Sequence, residues 1–189
     1  MGRLAELAGD CTHTRTIEMS TFAVDETHIL STGRLKDVRL LPSFRISGEK
    51  RDPGPLHDLA LHLLIRTPDL VIEDVEVEIN TVPRADCRKL EQSMAGAIGL
   101  AIKGGFTFKV KGTVGGKSGC THLVHLLVTM APAVLQGYWA LLDRRESVPT
   151  DEARRRAALS AKFLKDSCYT WREDGEAYRG LISIAEGAN

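Results

Sequence analysis

The sequence predicts an α+β fold, an antiparallel β-sheet packed against two or three helices. Three observations predict it. β-Leaning runs crowd the chain before Pro83, helical-period runs fill the chain after it, and turn chemistry separates them. Segregated strands and helices are the α+β signature.

Residues 1–12 read as a loose leader and residues 13–189 as a single domain. Thr14–Val24 and Ile29–Leu40 are β-leaning and are joined by the polar Asp25-Glu26-Thr27, which predicts a hairpin. Lys50-Arg51-Asp52-Pro53-Gly54-Pro55 is loop chemistry, because two prolines and a glycine sustain neither helix nor ladder. Leu59, Leu61, Leu63 and Ile65 share one parity, as a strand with one buried face requires. Thr67-Pro68-Asp69 turns the chain. Val75, Val77 and Ile79 then alternate with Glu76, Glu78 and Asn80, a second hairpin partner with one face wet.

After Pro83 the period changes. Leu90, Met94 and Ile98 recur every four residues, which predicts a helix over Ala85–Ile102 that Gly104-Gly105 stops. Residues Phe106–Gly119 are glycine-rich and read as a loop with a short strand at Phe106–Lys111. From Cys120 to Asp143, Leu123, Leu127, Met130, Val134 and Tyr138 trace an apolar helix face, with a kink expected at Pro132. The run through Leu135, Tyr138, Trp139 and Leu142 fits a homodimer face and a core helix equally well. Pro149-Thr150-Asp151-Glu152 starts a further helix to about Asp166, with Thr150 as its cap. Asp174-Gly175 signals a turn and predicts a last hairpin.

Composition narrows the function only by exclusion. The 189 residues carry 25 Lys+Arg against 25 Asp+Glu, so bulk charge selects neither nucleic acid nor an anionic membrane as partner. The chain is long enough to bury a core without disulfides or metal. No apolar run of membrane-spanning length is found, and Met1–Glu6 matches neither a signal core nor a myristoylation site. A cytoplasmic protein is expected, with Cys11, Cys87, Cys120 and Cys168 reduced.

Chemistry concentrates in three places. Cys120-Thr121-His122 begins a helix, where the dipole favours an anionic thiolate and His122 can ligate a metal or accept a proton; His125 follows on the same helix face. The competing reading is a packed Cys beside solvated histidines. Cys87, after Asp86, stands at a second helix start. His57-Asp58 opens the third strand, where parity sends the two side chains to opposite faces. Together Cys87, Cys120, His122, His57 and Asp58 make a mixed N/S/O set suited to zinc or iron. As an enzyme, the chain would use His57, Asp58 and His122 for catalysis.

Gly112–Ser118 invites a phosphate-loop reading, but Lys111 stands where the first glycine is required, so no nucleotide cofactor is expected. Arg154-Arg155-Arg156 reads as a solvated helix face. Cys168 and Trp171 read as tail packing, and Cys11 as incidental. Asp25 and Asp37 form no convincing acid/base pair.

His13-Thr14-Arg15-Thr16-Ile17, Leu56-His57-Asp58-Leu59, Pro83 with Cys87, and Gly115-Gly116 with Gly119-Cys120-Thr121-His122-Leu123 resemble an uncharacterised bacterial family. It is the domain-of-unknown-function family numbered twenty-eight eighty-nine, and the resemblance covers roughly residues 12–175. It implies stand-alone cytoplasmic proteins with no assigned activity, some of them encoded among catabolic genes, aromatic compounds included.

A more distant resemblance, over residues 56–142, is to NifU-like iron–sulfur scaffold proteins. Asp58, Cys87 and Cys120 fall in the scaffold's order, which implies a metal site on a NifU-like fold. The scaffold's first Cys falls on Leu56, beside His57, and the N-terminal hairpin has no counterpart there.

Three readings follow. The first is a metal-binding protein holding zinc or iron. The second is a lyase or hydrolase acting on a small metabolite, aromatic ones included, in the same cleft. The third is a non-catalytic ligand-binding module. Four protein ligands favour a closed metal site; three and a pocket favour an enzyme.

Overall fold

A computed structural model describes residues 2–144 and 150–187. It divides into two compact units, Met1–Trp139 and Ala140–Asn189. The class is α+β, as the segregated pattern predicts.

The first unit is built on β1 (His13–Ala23), β2 (His28–Arg39), β5 (Gly54–Arg66) and β6 (Val71–Thr81), between which lies a small hairpin of β3 (Ser43–Phe44) and β4 (Lys50–Arg51). The four long strands form one antiparallel sheet in the order β1-β2-β5-β6. Both predicted hairpins are present, each within a few residues of its expected bounds.

Alternation defines the inner face. Leu59, Leu61, Leu63 and Ile65 on β5 are buried, as are Ile29, Ser31, Leu35 and Asp37 on β2. Each large aliphatic side chain there is worth roughly 1.5–3 kcal/mol of burial. Asp37 is the exception, a carboxylate on an otherwise apolar register.

The inner face is covered by α2 (Thr121–Leu142), which buries Leu123, Leu127, Met130, Val134 and Tyr138 as the helical period predicts. The helix runs through Pro132 as one element. By length and composition α2 is apolar enough to cross a membrane. Its contacts are those of a core helix. Met130 and Leu126 lie against Gly33 of β2, and Gly137 lies against Thr21 of β1. Thr21 is far along β1 from Arg15, so α2 spans the sheet lengthwise. Its first turn stands over the end of the sheet where β1 and β5 begin and β2 ends.

The segment 50–55 is not all loop: Lys50–Arg51 form β4, and Gly54 and Pro55 open β5 opposite Arg39 and Val38, at the end of the ladder where proline is tolerated. Three further expectations are corrected. The segment 85–102 is not an α-helix. It makes 3-10 turns at Ala85–Leu90 and Ala95–Ala97, and Ala101 then bridges to Val71. Gly99, with φ of 85°, stops helical continuation after the second turn, and of the periodic trio Met94 alone is fully buried while Ile98 is exposed. The segment 106–111 is not a strand. It belongs to α1 (Phe106–Val114), which Gly105 starts from the left-handed region. The alternation Phe106-Thr107-Phe108 resembles a strand, but burial falls on Phe106, Val110 and Val114, at helical spacing.

The third correction is in the second unit. Asp174-Gly175 opens no hairpin; Gly175 is the extended residue before α4 (Glu176–Glu186). The α4 helix packs on α3 (Thr150–Leu164), which begins at the predicted Thr150. Pro149, the other half of that start signal, lies outside the described residues.

Candidate functional site

The site is assembled from one rung of the sheet. Arg15 on β1 is the direct cross-strand partner of Asp37 on β2, and Asp37 is the partner of His57 on β5. All three belong to the inner-face register. Cross-strand neighbours on one face are close enough to interact, and here they do. Arg15 donates through Nε and Nη2 to Oδ1 and Oδ2 of Asp37, both at 2.7 Å. His57 Nδ1 lies 3.0 Å from Oδ2. His13, two residues before Arg15 on the same face, brings Nε2 to 3.3 Å from Oδ1.

The fourth side wall comes from α2. Val124 donates its N–H to the carbonyl of Cys120 at 2.9 Å, so Cys120 caps the first turn. A Cβ on Gly119 would fall 1.9 Å from the Val114 carbonyl oxygen, so this close approach of α1 and α2 needs a glycine there. The turn places the His122 ring on His57, with centroids 3.8 Å apart and planes tilted by 31°. His122 Nε2 is 3.9 Å from Asp37 Oδ2, and its Nδ1 is 3.8 Å from Cys120 Sγ.

Electrostatics follow from these contacts. The Asp37 side chain is 3% exposed, and burial alone would push its proton affinity up. The Arg15 guanidinium wins, and with His57 it holds Asp37 down at about 2. Asp37 is therefore ionised throughout the neutral range. Burial moves His122 the other way, below the ordinary histidine value, with His57 and Arg15 adding to the shift. His122 is neutral at pH 7 and presents one ring-nitrogen lone pair rather than charge.

Beside this cluster lies a cavity of about 220 Å³. His57, His122, Cys87 and Cys120 line it, with aliphatic walls from Leu59 and Ile79 among others. One carboxylate oxygen of Asp37 and one ring nitrogen from each of His57 and His122 lie within 4.8 Å of one another. That donor set, two imidazoles and a carboxylate, suits a transition metal such as zinc or iron.

The structure thus brings His57, His122, Cys87 and Cys120 to one cavity, although Cys87 sits on a 3-10 turn and not at an α-helix start. Asp58 is not with them. It points to the outer face of the sheet and is held by Arg34, Nε to Oδ1 at 2.7 Å and Nη2 to Oδ2 at 2.6 Å. Parity is the cause, because neighbours along a strand face opposite ways. The carboxylate beside His57 is Asp37. His125 is exposed on α2, and Cys11 and Cys168 are exposed elsewhere.

Sequence reasoning weighs Asp37 only as a partner of Asp25 and meets His13 and Arg15 only in the family resemblance, so it assigns none of the three to the site. A signal for Asp37 exists: it continues the Ile29, Gly33 and Leu35 parity, so a charge stands where the pattern calls for an apolar side chain. Arg15 does the same ahead of Ile17 and Met19.

Neither a curated protein nor a solved structure matches the chain. Asp37 and Arg15 sit on the N-terminal hairpin. Residues 13–136 match the family described as "Protein of unknown function (DUF2889)", a span that contains every residue of the Arg15–Asp37–His57–His122 cluster and the whole four-stranded sheet, and the chain belongs to that family.

Proposed function

We propose that this chain is a metal-binding protein whose centre is Asp37, His57 and His122, with an open coordination position at the cavity. The observation that carries the reading is the convergence of those three donors within 4.8 Å at a buried carboxylate. Ligand atoms around tetrahedral zinc stand about 3.4 Å apart, given bonds of about 2.0–2.1 Å. The observed 3.0 Å and 3.9 Å from Asp37 Oδ2 to the two imidazoles bracket that value.

Arg15 does not exhaust Asp37. An ionised carboxylate offers about four lone-pair sites, and two donors from Arg15 leave capacity for a cation. Three protein donors and an adjoining cavity favour a site that acts on a ligand over a closed structural one. Lyase or hydrolase chemistry on a small molecule fits such a position, with the metal polarising a carbonyl or activating water. Cytoplasmic placement fits the free thiols at the cavity.

A second reading is favoured by one contact. Arg15 already engages both Asp37 oxygens, and Asp37 already orients His57 through Nδ1. His57 Nε2 has no hydrogen-bond partner among the described residues, as a metal-free general base requires.

Metal analysis of untagged, as-purified protein separates the two. The first reading expects about one zinc or iron per chain in the wild type, lost in His122→Ala and kept in Cys120→Ser. A wild type without metal that also fails to take up zinc or ferrous iron on titration leaves the metal-free reading standing.

A further inference from the structure

We infer that Arg45, Arg51 and Arg84 form an oxyanion-binding groove that holds the charged end of a small amphiphilic ligand while its apolar end enters the His57–His122 cavity. The groove has a volume of about 450 Å³ and is lined by these three arginines with Phe44, Ile46 and Pro83. Pro83 and Arg84 also line the inner cavity, so the two compartments adjoin at these residues.

The charge balance of the groove points to an anion. Arg45 Nε is 3.1 Å from Glu49, but Arg51 and Arg84 have no acidic partner among the described residues. Three guanidinium groups around one concavity with one carboxylate leave a net positive charge. Guanidinium forks match carboxylate and phosphate oxygens in geometry as well as charge. The apolar side is equally uncompensated: Phe44 is 70% exposed and Ile46 is fully exposed on the β3–β4 hairpin. Arginine beside bare apolar surface suits a ligand with both characters.

Size sets the other end. The inner cavity of about 220 Å³ is roughly seven times the volume share of one liquid water. It admits a short aliphatic or small cyclic body against Leu59, Ile79, Val82 and Leu123. The ligand class is therefore a small organic carboxylate or phosphate ester with an apolar tail. Capture of the oxyanion needs no metal, so the inference stands apart from the metal reading.

The test uses the full chain after metal removal, titrated with hexanoate, hexyl phosphate, inorganic phosphate and 1-hexanol and followed by calorimetry. At least one of the six-carbon anions is expected to bind ten-fold or more tightly than hexanol, and to weaken with added salt. The ratio of hexanoate to hexyl phosphate affinity identifies the headgroup source. The double variant Arg51→Gln/Arg84→Gln should lose at least ten-fold for the anions and leave hexanol unchanged. Cys87→Trp, which fills the inner cavity, should weaken the six-carbon anions and spare inorganic phosphate. Equal affinity for hexanol and both anions, no anion binding at all, or an anion affinity unmoved by the arginine double variant overturns the inference. An unmoved six-carbon affinity in a folded Cys87→Trp overturns the two-compartment arrangement.

Discussion

The sheet carries two buried aspartates, each gripped by both oxygens by an arginine on a neighbouring strand. Arg15–Asp37 lies on the inner face and Arg34–Asp58 on the outer face. The hydrogen bonds are nearly identical in length, and in both pairs the arginine holds the carboxylate below its ordinary range. What differs is the company. Asp37 has His13, His57 and His122 around it and a cavity alongside. Asp58 has Lys36, Asn80 and a half-exposed Arg34. A bidentate Arg–Asp pair is thus a structural clasp in itself. It becomes part of a chemical site when imidazoles and an enclosed volume are added to it.

The comparison breaks most visibly by removing each carboxylate in turn. Asp37→Asn should cost about 2 kcal/mol in urea denaturation, since it removes the buried acceptor of Arg15 and His57 while Arg15, 37% exposed, stays partly solvated. It should also lower zinc affinity by about 10-fold to 100-fold at least, since losing a direct ligand costs no less than losing a group that only orients one. Asp58→Asn should cost about 1 kcal/mol, because Arg34 remains solvated, and should leave zinc affinity unchanged.

Acid should distinguish the two faces next. Asp37 is depressed in the folded state, so its contribution is present above the unfolded value of roughly 3.9 and is lost as pH falls toward 2. The loss is on the order of 2 kcal/mol. Stability measured from pH 5 to 2 should therefore fall less steeply in Asp37→Asn than in the wild type. His122 is also depressed, and a histidine that resists protonation stabilises above its unfolded value of about 6.5. That contribution wanes as pH falls below 6.5 through its lowered folded value. The share of any pH 7 to pH 6 loss of zinc affinity that comes from His122 should be smaller than a histidine of ordinary value would impose.

A last effect, on stability alone, concerns the helix that brings His122 to the rung. Gly137→Ala sets a Cβ 2.4 Å from Thr21 Cβ, and Gly33→Ala sets one 2.7 Å from Met130 Sδ. A β-branched side chain on a strand yields less than a methionine. Thermal denaturation should show a loss of about 2 kcal/mol for Gly137→Ala and about 1 kcal/mol for Gly33→Ala.

Much of this was written locally in the chain. The parity of Leu59 to Ile65 sets β5, the period of Leu123 to Tyr138 sets α2, and Cys120-Thr121-His122 marks the helix start. The parity that separates His57 from Asp58 is equally local, and it is why Asp58 cannot serve the inner site. Register across strands is not local. Nothing in the neighbourhood of Asp37 says that Arg15 and His57 lie on its rung, since those pairings are fixed by the hairpin ends and by packing under α2. The helix expected over 85–102 and the strand expected at 106–111 fail for a related reason. Short apolar patterns fit either period until glycine conformation and burial decide.

The central claim is that Asp37, His57 and His122, and not the Asp58 clasp, hold a metal. Anomalous diffraction at the zinc edge, from crystals grown with one equivalent of zinc, tests it most directly. The account predicts a single peak bonded to Asp37, His57 and His122, absent from Asp37→Asn crystals and retained in Asp58→Asn crystals. No peak at that rung in the wild type, or one that persists in Asp37→Asn, contradicts it.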